Sequence, residues 1–227
     1  MASPSGEAML SLLKLAQKEA SLFVILGDLF DIWVGEGRAF QEEYAPLIAE
    51  FQKLKKNSRI LYFEGNHDFH LEKFWKEKMG FEVFSGPTKL EFGKIKIWAE
   101  HGDEINRQDR GYLALRAFLR LKPVRFFIEN IPSRVVFKIG SGASNASRKY
   151  TDHKRDPVLE IFREYAQTLR RREDFQLLVT GHTHVPDDFA FKNEDLETRL
   201  INLGSWFDGA HFLKVRSSGE IEHVKIS

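Results

Sequence analysis

Four short apolar runs in this chain each end beside a glycine and a cluster of Asp, Asn, Glu or His, and this arrangement most limits how the chain can fold. The runs lead into four polar tips: Gly27-Asp28, Gly65-Asn66-His67-Asp68, Glu100-His101-Gly102-Asp103 and Gly181-His182-Thr183-His184. A buried strand that ends on such a tip delivers a polar side chain to the carboxyl edge of a sheet, where open α/β sheets bind ligands. One tip alone reads equally well as a polar turn, but four in this order predict a single site.

The rest of the sequence fits an α/β fold. Its patterns predict helices from Ser3-Pro4 to about Ala20, over Phe40–Leu54 with a kink at Pro46, over Phe69–Met79, and through most of Asp109–Arg172 with a last helix over Pro157–Arg172. They predict strands over Leu22–Leu26, Arg59–Phe63, Phe81–Phe84 and Gln176–Thr180, a hairpin over Lys89–Ala99, and a closing antiparallel meander over Phe189–Phe191, Arg199–Asn202, His211–Val215 and Ile221–Ile226. We expect one domain over residues 1–227.

Composition excludes several classes of protein. The chain has no Cys, which excludes a disulfide framework, a zinc–thiolate site and a Cys nucleophile. No apolar run approaches the ~18 residues of a transmembrane helix, and the first residues lack the basic region of a signal peptide. We therefore expect a cytoplasmic protein.

The net charge of +1 hides an uneven distribution. Residues 105–172 contain 16 Lys and Arg against 6 Asp and Glu, so the rest of the chain is acidic overall. The four tips lie in this acidic remainder. Such a basic block suits an anionic substrate or an anionic membrane, although a solvated helical surface explains most of its individual charges.

The residue types at the tips point to metal chemistry. Asp, Asn and His side chains are ligands for Mn, Fe, Co, Ni or Zn. The alternating imidazoles of His182 and His184 can serve two neighbouring metals, and a carboxylate such as Asp28 can bridge two ions roughly 3.5–4 Å apart. His67 can stay unligated and donate to a phosphoryl oxygen or protonate a leaving group, with Asp68 orienting it or lying against a helix N-terminus.

The four tips resemble, in order and over nearly the whole chain, the sequence blocks of calcineurin-like metallophosphoesterases. The resemblance implies an α/β sandwich of two mixed β-sheets flanked by helices, with a dinuclear metal centre. It makes Asp28 the bridging ligand, gives one metal Asn66, His101 and His182, and gives the other His184. A metal-bound hydroxide would then attack phosphorus in line.

A closer resemblance is to the UDP-2,3-diacylglucosamine diphosphatases of lipid A biosynthesis. It rests on the segment from Ile25 to Gly35, on Asp109-Arg110-Gly111-Tyr112, on a helical cap insertion at about residues 109–155, and on Asn202-Leu203-Gly204-Ser205-Trp206. It implies cleavage of the UDP-linked acylated sugar to 2,3-diacylglucosamine 1-phosphate and UMP, usually with two Mn ions. The substrate contacts carried over are Asn66, His67, Asp109, Tyr112, Ser141, Asn145 and Arg148, and His67 and Arg148 stand where members of that family carry Arg and Lys.

The predicted insertion has a composition that suits this substrate. Apolar residues from Leu113 to Ile128 alternate with Arg116, Arg120, Lys122 and Arg125. An acyl-chain groove with a basic rim, peripheral on the cytoplasmic face of the inner membrane, would use this composition. An ordinary helix pair packed on the core has the same composition, so only the resemblance favours lipid. We expect no nucleic-acid partner.

The sequence departs from the resembled family at its start, where no Asp-x-His motif is found. That motif supplies two ligands to the first metal, so we expect this ion to be held weakly, through truncation or divergence. Two other functions stay open. One is a general calcineurin-like phosphodiesterase or nucleotidase, and the other is a metal-deficient, non-catalytic homologue.

Overall fold

The computed structural model describes residues 4–132, 134–136, 155–193 and 196–226. The chain divides into two compact units, one of Met1–Ser85 with Gln108–Tyr150 and the other of Gly86–Arg107 with Thr151–Ser227. Ser141, Asn145 and Arg148, three of the predicted substrate contacts, lie outside the described residues. The single domain with its cap insertion stays a prediction.

The first unit contains three parallel strands and most of the helices. Its elements are α1 (Pro4–Glu19), β1 (Leu22–Ile25), β2 (Trp33–Val34), α2 (Arg38–Glu43), α3 (Ala45–Leu54), β3 (Arg59–Phe63), β4 (Asp68–Phe69), a π-helix (Glu72–Lys78), β5 (Glu82–Phe84), α4 (Arg110–Leu119) and α5 (Lys122–Asn130). The sheet order is β1-β3-β5, and β2 pairs with β4 in a separate two-stranded ladder. All three pairings, β1 with β3, β3 with β5 and β2 with β4, are parallel.

Aromatic packing fixes the loop that follows β1. Trp33 is fully buried, with its ring centroid 4.9 Å from that of Phe30 and 5.0 Å from that of Trp75. Its indole N–H donates to the Gly35 carbonyl at 2.9 Å, so the polar end of the ring is satisfied inside the core. The segment around the first polar tip is therefore held by a rigid cluster.

Two predicted helices differ from those in the structure. Phe40–Leu54 forms two helices rather than one kinked helix, and Pro46 lies in the first turn of α3. A proline is tolerated there because the first-turn N–H groups have no partner within the helix. Phe69 belongs to β4, and the helix after it begins at Glu72.

The second unit contains a mixed five-stranded sheet. Its elements are β6 (Thr88–Phe92), β7 (Ile95–Ala99), α6 (Arg155–Arg170), β8 (Leu177–Thr180), β9 (Pro186–Asn193), β10 (Leu196–Leu203), a short 3-10 helix (Trp206–Asp208), β11 (His211–Val215) and β12 (Ile221–Lys225). The order is β6-β7-β8-β10-β9, and β11 and β12 form their own hairpin.

The hairpin of β6 and β7 confirms the predicted one. The predicted closing meander is confirmed in its four strands and in the antiparallel pairs β9–β10 and β11–β12, but it is not continuous, because β10 and β11 belong to different sheets. Strand β10 pairs in parallel with β8 and antiparallel with β9. Every residue of β8 is buried, as expected of a strand with parallel neighbours on both sides. Within the part of the chain that is described, no helix has the length and apolar character needed to cross a membrane.

Candidate metal centre

The first two polar tips lie side by side in the first unit. Strands β1 and β3 are parallel, with Ile25 opposite Tyr62, so Gly27-Asp28 and Gly65-Asn66-His67-Asp68 leave the same edge of the sheet. The ladder of β2 and β4 adds a second connection, in which Trp33 pairs with Asp68 and the Trp33 N–H donates to the His67 carbonyl at 2.9 Å. The sequence prediction of adjacent tips is confirmed for this pair.

Asp28 is held in an uncommon backbone conformation with its carboxylate against the second tip. Its φ is +52°, a left-handed value that non-glycine residues seldom adopt. One carboxylate oxygen, Oδ1, accepts the His67 N–H at 2.9 Å. Gly65 makes this approach possible, because a Cβ there would lie 2.1 Å from Asp28 Oδ1.

His67 and Asp68 take different positions on the second tip. The His67 Nδ1 lies 3.2 Å from the Asp31 carbonyl oxygen. When Nδ1 carries the proton, it donates to that carbonyl and leaves Nε2 as the second ring nitrogen. Asp68 is fully buried, and its carboxylate accepts hydrogen bonds from the backbone of both tips. Asn66 lies half-buried between Gly65 and His67.

The other two tips meet in the second unit. Strands β7 and β8 are parallel neighbours, and the Gly181 N–H donates to the His101 carbonyl at 2.9 Å. The ring centroids of His101 and His182 are 5.1 Å apart, and a ring nitrogen of each lies within 4.8 Å of one on the other. The predicted adjacency of these two tips is also confirmed.

Asn202, on β10, supports the turn that carries His182. Its side-chain N–H groups donate to the Gly181 carbonyl at 2.8 Å and to Thr180 Oγ1 at 3.0 Å. Asn202 is buried, so these bonds form away from water. In the sequence, Asn202 belongs to a segment that resembles the diphosphatase family, but nothing there indicates a role for it. The role follows from the pairing of β10 with β8, which places Asn202 beside Thr180.

Strained backbone is concentrated at the predicted ligands. Among the described residues, the non-glycine positions with positive φ are Asp28, His70, His182 and His184. Three of these four are predicted metal ligands. Such conformations cost roughly 1–3 kcal/mol each, so they persist only where the surrounding structure imposes them. They are found most often at functional sites.

Two buried carboxylates flank the tips without having been predicted as site residues. Glu100 precedes His101 and accepts the Trp98 indole N–H at 2.8 Å and the Tyr165 hydroxyl at 2.7 Å. Glu64 precedes Gly65 and accepts the Leu71 N–H at 3.0 Å. Burial raises the pKa of both carboxyls. Tyr62 and Tyr165 were missed because an apolar strand and an amphipathic helix each hide one tyrosine among their buried positions.

The predicted substrate contacts on the insertion are described only at its start. Asp109 is the N-cap of α4, where its side chain accepts the Tyr112 N–H at 3.0 Å. Both residues therefore lie in the first turn of one helix. Arg120, from the end of α4, reaches the second tip, with its guanidinium 3.4 Å from the Gly65 carbonyl and 3.5 Å from the Glu64 carboxylate.

The donors on the tips fit a divalent metal. Two ligand atoms of one ion, each roughly 2.1 Å from it, are separated by roughly 3–4 Å. The spacing of the His101 and His182 nitrogens is compatible with that range. Imidazole and carboxylate together suit Mn, Fe, Co or Zn.

A family model for calcineurin-like phosphoesterases matches residues 7–186, a range that includes all four tips. The chain belongs to this family. Membership makes it a phosphoester hydrolase with the mixed α/β fold of that family. With the donor set above, it also implies that the protein binds divalent metal.

Curated relatives and solved structures also match the chain. It is 28% identical over 214 residues to the UDP-2,3-diacylglucosamine hydrolase of Pseudomonas syringae, covering 93% of this chain and 86% of that protein. It is 27% identical to the same-named protein of Aeromonas hydrophila, covering 87% and 82%. A Vps29 variant from Entamoeba histolytica is 15% identical with a TM-score of 0.39, over 96% of this chain and 89% of that one. A predicted phosphoesterase from Streptococcus pneumoniae is 12% identical with a TM-score of 0.36, over 97% and 90%.

Proposed function

We propose that this phosphoesterase hydrolyses the pyrophosphate of UDP-2,3-diacylglucosamine to 2,3-diacylglucosamine 1-phosphate and UMP. The observation that carries the proposal is the match to relatives named for this substrate over 93% of the chain. Water adds to one phosphorus of the pyrophosphate, and the bond between that phosphorus and the bridging oxygen breaks. The bridging oxygen leaves with the other phosphate, which accepts a proton.

The proposed ligands come from all four tips. Asp28, Asn66, His101 and His182 would hold one ion, and Asp28 and His184 would contribute to a second, with Mn as the metal. Bound metal would supply charge neutralisation and an acidified water at phosphorus. The strained backbone of Asp28, His182 and His184 supports these assignments.

His67 would act on the substrate rather than as a ligand. The Asp31 carbonyl fixes one ring nitrogen, which leaves Nε2 to donate to a phosphoryl oxygen or to the leaving group when the ring is protonated. The imidazole is short compared with an arginine, so it would make one directional contact instead of a bidentate one.

The substrate assay separates this proposal from its alternatives. Purified protein with Mn is given the UDP-lipid, unacylated UDP-N-acetylglucosamine, or a chromogenic phosphodiester, and UMP or nitrophenol release is measured. We expect UMP from the UDP-lipid at a kcat/KM at least about 100-fold above that for the unacylated sugar nucleotide. Equal rates on all three would favour a general phosphodiesterase. Protein that retains no Mn and hydrolyses none of the three substrates in its presence would favour a non-catalytic homologue.

The exposed face of the insertion supports a peripheral membrane contact as part of the same proposal. Phe126 and Phe127 on α5 are 70% and 68% exposed, and Lys122 lies on the same helix. Arg125, also on this helix, is paired with Glu72 and Glu129. Exposed phenylalanines near a lysine suit the interface of an anionic bilayer.

A vesicle assay tests this contact. Replacing both phenylalanines with serine should abolish flotation with phosphatidylglycerol vesicles, while Phe207→Ser, at a residue that is 62% exposed in the second unit, should not. Flotation by the double variant at the wild-type level would contradict the proposal.

A further inference from the structure

The carboxylate of Asp68 is the acceptor for four donors inside the first unit. Its Oδ1 accepts the Asp28 N–H at 2.8 Å and the Gly65 N–H at 2.9 Å. Its Oδ2 accepts the Leu29 N–H at 2.7 Å and the Tyr62 hydroxyl at 2.5 Å. Because Asp68 is fully buried, water does not compete for these hydrogen bonds. Hydrogen bonds to a charged carboxylate are also stronger than those between neutral groups.

Two of the four bonds fix the backbone at Asp28. The N–H groups of Asp28 and Leu29 stand on either side of the Asp28 side chain, and both point at one carboxylate. Asp28 in return accepts the His67 N–H. The two tips are thus closed into a ring of hydrogen bonds, which can stabilise the left-handed φ of +52° at Asp28.

Tyr62 connects these hydrogen bonds to the core. Its side chain is fully buried on β3, and its aromatic ring packs edge-on against Trp75 at a centroid distance of 5.6 Å. The aromatic ring is therefore fixed in one position, and its hydroxyl approaches Asp68 from a fixed direction. A phenylalanine at this position would keep the ring contacts and remove the hydrogen bond alone.

We propose that Tyr62 and Asp68 are positioning residues that hold the Asp28 carboxylate in the orientation in which it binds metal. The inference rests on the proposed metal-dependent function. It gives Asp68 a role through the backbone of Asp28 and Leu29, and it gives Tyr62 a role that the sequence did not indicate.

The test uses Tyr62→Phe and Asp68→Asn in the full chain, with Tyr44→Phe as the matched control. Tyr44 lies in the same core, packed 4.4 Å from the Phe30 ring centroid. Two quantities are measured: the Kd for Mn²⁺ by calorimetry, and amide hydrogen exchange at Asp28 and Leu29 in metal-free protein. Both are read well below the Tm of each variant.

We expect Asp68→Asn to raise the Kd for Mn²⁺ about 10-fold or more, as loss of a residue that orients a ligand usually does. Tyr62→Phe should raise it by a smaller factor and speed exchange at the two amides, while Tyr44→Phe should match wild type in both. If Tyr62→Phe and Asp68→Asn lower the Tm but leave the Kd and exchange unchanged, the role is merely structural and the inference fails.

The design keeps this inference separate from the proposed function. Wild-type protein that binds no Mn²⁺ would refute the metal-dependent function, yet amide exchange in the metal-free variants would still decide whether Tyr62 and Asp68 hold the Asp28 backbone. If Asp68→Asn does not fold, Tyr62→Phe alone decides, because it preserves every ring contact.

Discussion

Replacing Gly65 with alanine should separate the two tips of the first unit while leaving the fold intact. The added Cβ would lie 2.1 Å from Asp28 Oδ1 and 2.6 Å from Asp28 N. Ordinary contact begins near 3.4 Å, so the carboxylate must retreat by about 1.3 Å. Metal sites tolerate errors of only ~0.2 Å in ligand distance, so a displacement of this size would remove Asp28 from its proposed ligand position.

The expected losses follow from that displacement. Overpacking typically costs about 1–3 kcal/mol of unfolding free energy, and a misplacement of ~1 Å at a reacting centre costs roughly 100-fold in rate. We expect Gly65→Ala to remain folded, to lose Mn²⁺ affinity, and to release UMP at about 1% of the wild-type rate or less. Urea unfolding, calorimetric Mn²⁺ titration and UMP release at saturating substrate measure the three effects.

Gly86→Ala is the matched control. A Cβ at Gly86 meets nothing within 4 Å, and, as at Gly65, its φ is not in the left-handed range. This variant should match wild type in all three assays. Gly65→Ala with wild-type Mn²⁺ affinity and wild-type rate would refute the claim that Gly65 exists to admit the Asp28 carboxylate.

The remaining predictions concern individual histidines. His101→Ala and His182→Ala should each reduce bound metal, measured by elemental analysis, and abolish UMP release without unfolding the protein; stoichiometric metal in either variant would contradict their assignment as ligands. His67→Ala should keep its metal and lose about 100-fold in kcat, as removal of an acid catalyst does, and an unchanged kcat would exclude that role. Burial lowers the pKa of His70 from 6.5, so the unfolded state binds the proton first and the free energy of unfolding should fall as pH drops below 6.5; His70→Gln should show a shallower fall between pH 7.5 and 5.5, and an equal slope would refute this.

The polar tips could be predicted from sequence because the end of each strand and the ligand-type side chain lie in the same short segment. An apolar run followed by glycine and a ligand-type side chain marks the end of a strand and suggests a metal ligand there, as at Gly27-Asp28 and Gly181-His182. The structure confirms that each pair of neighbouring strands brings its tips together.

Features that depend on distant partners could not be predicted. Strand β10 pairs in parallel with β8. This pairing depends on which edge of β8 is open, and the local sequence of neither strand indicates it. The role of Asp68 depends on the donors that surround it, and Tyr62 reads as one more apolar position of β3. Pro46 predicted a kink because the sequence does not show that Tyr44 caps the end of α2 and the start of α3, which leaves Pro46 in the first turn of α3.

The central proposal is that Asp28, His101 and His182 bind the same metal ion. The most direct measurement is an anomalous-difference map from crystals of the wild-type chain grown with Mn²⁺, recorded near the manganese absorption edge. We expect a peak within bonding distance of the carboxylate of Asp28 and of the imidazoles of His101 and His182. Crystals that release UMP from the UDP-lipid when dissolved, but whose map shows no peak at these three side chains, would contradict it.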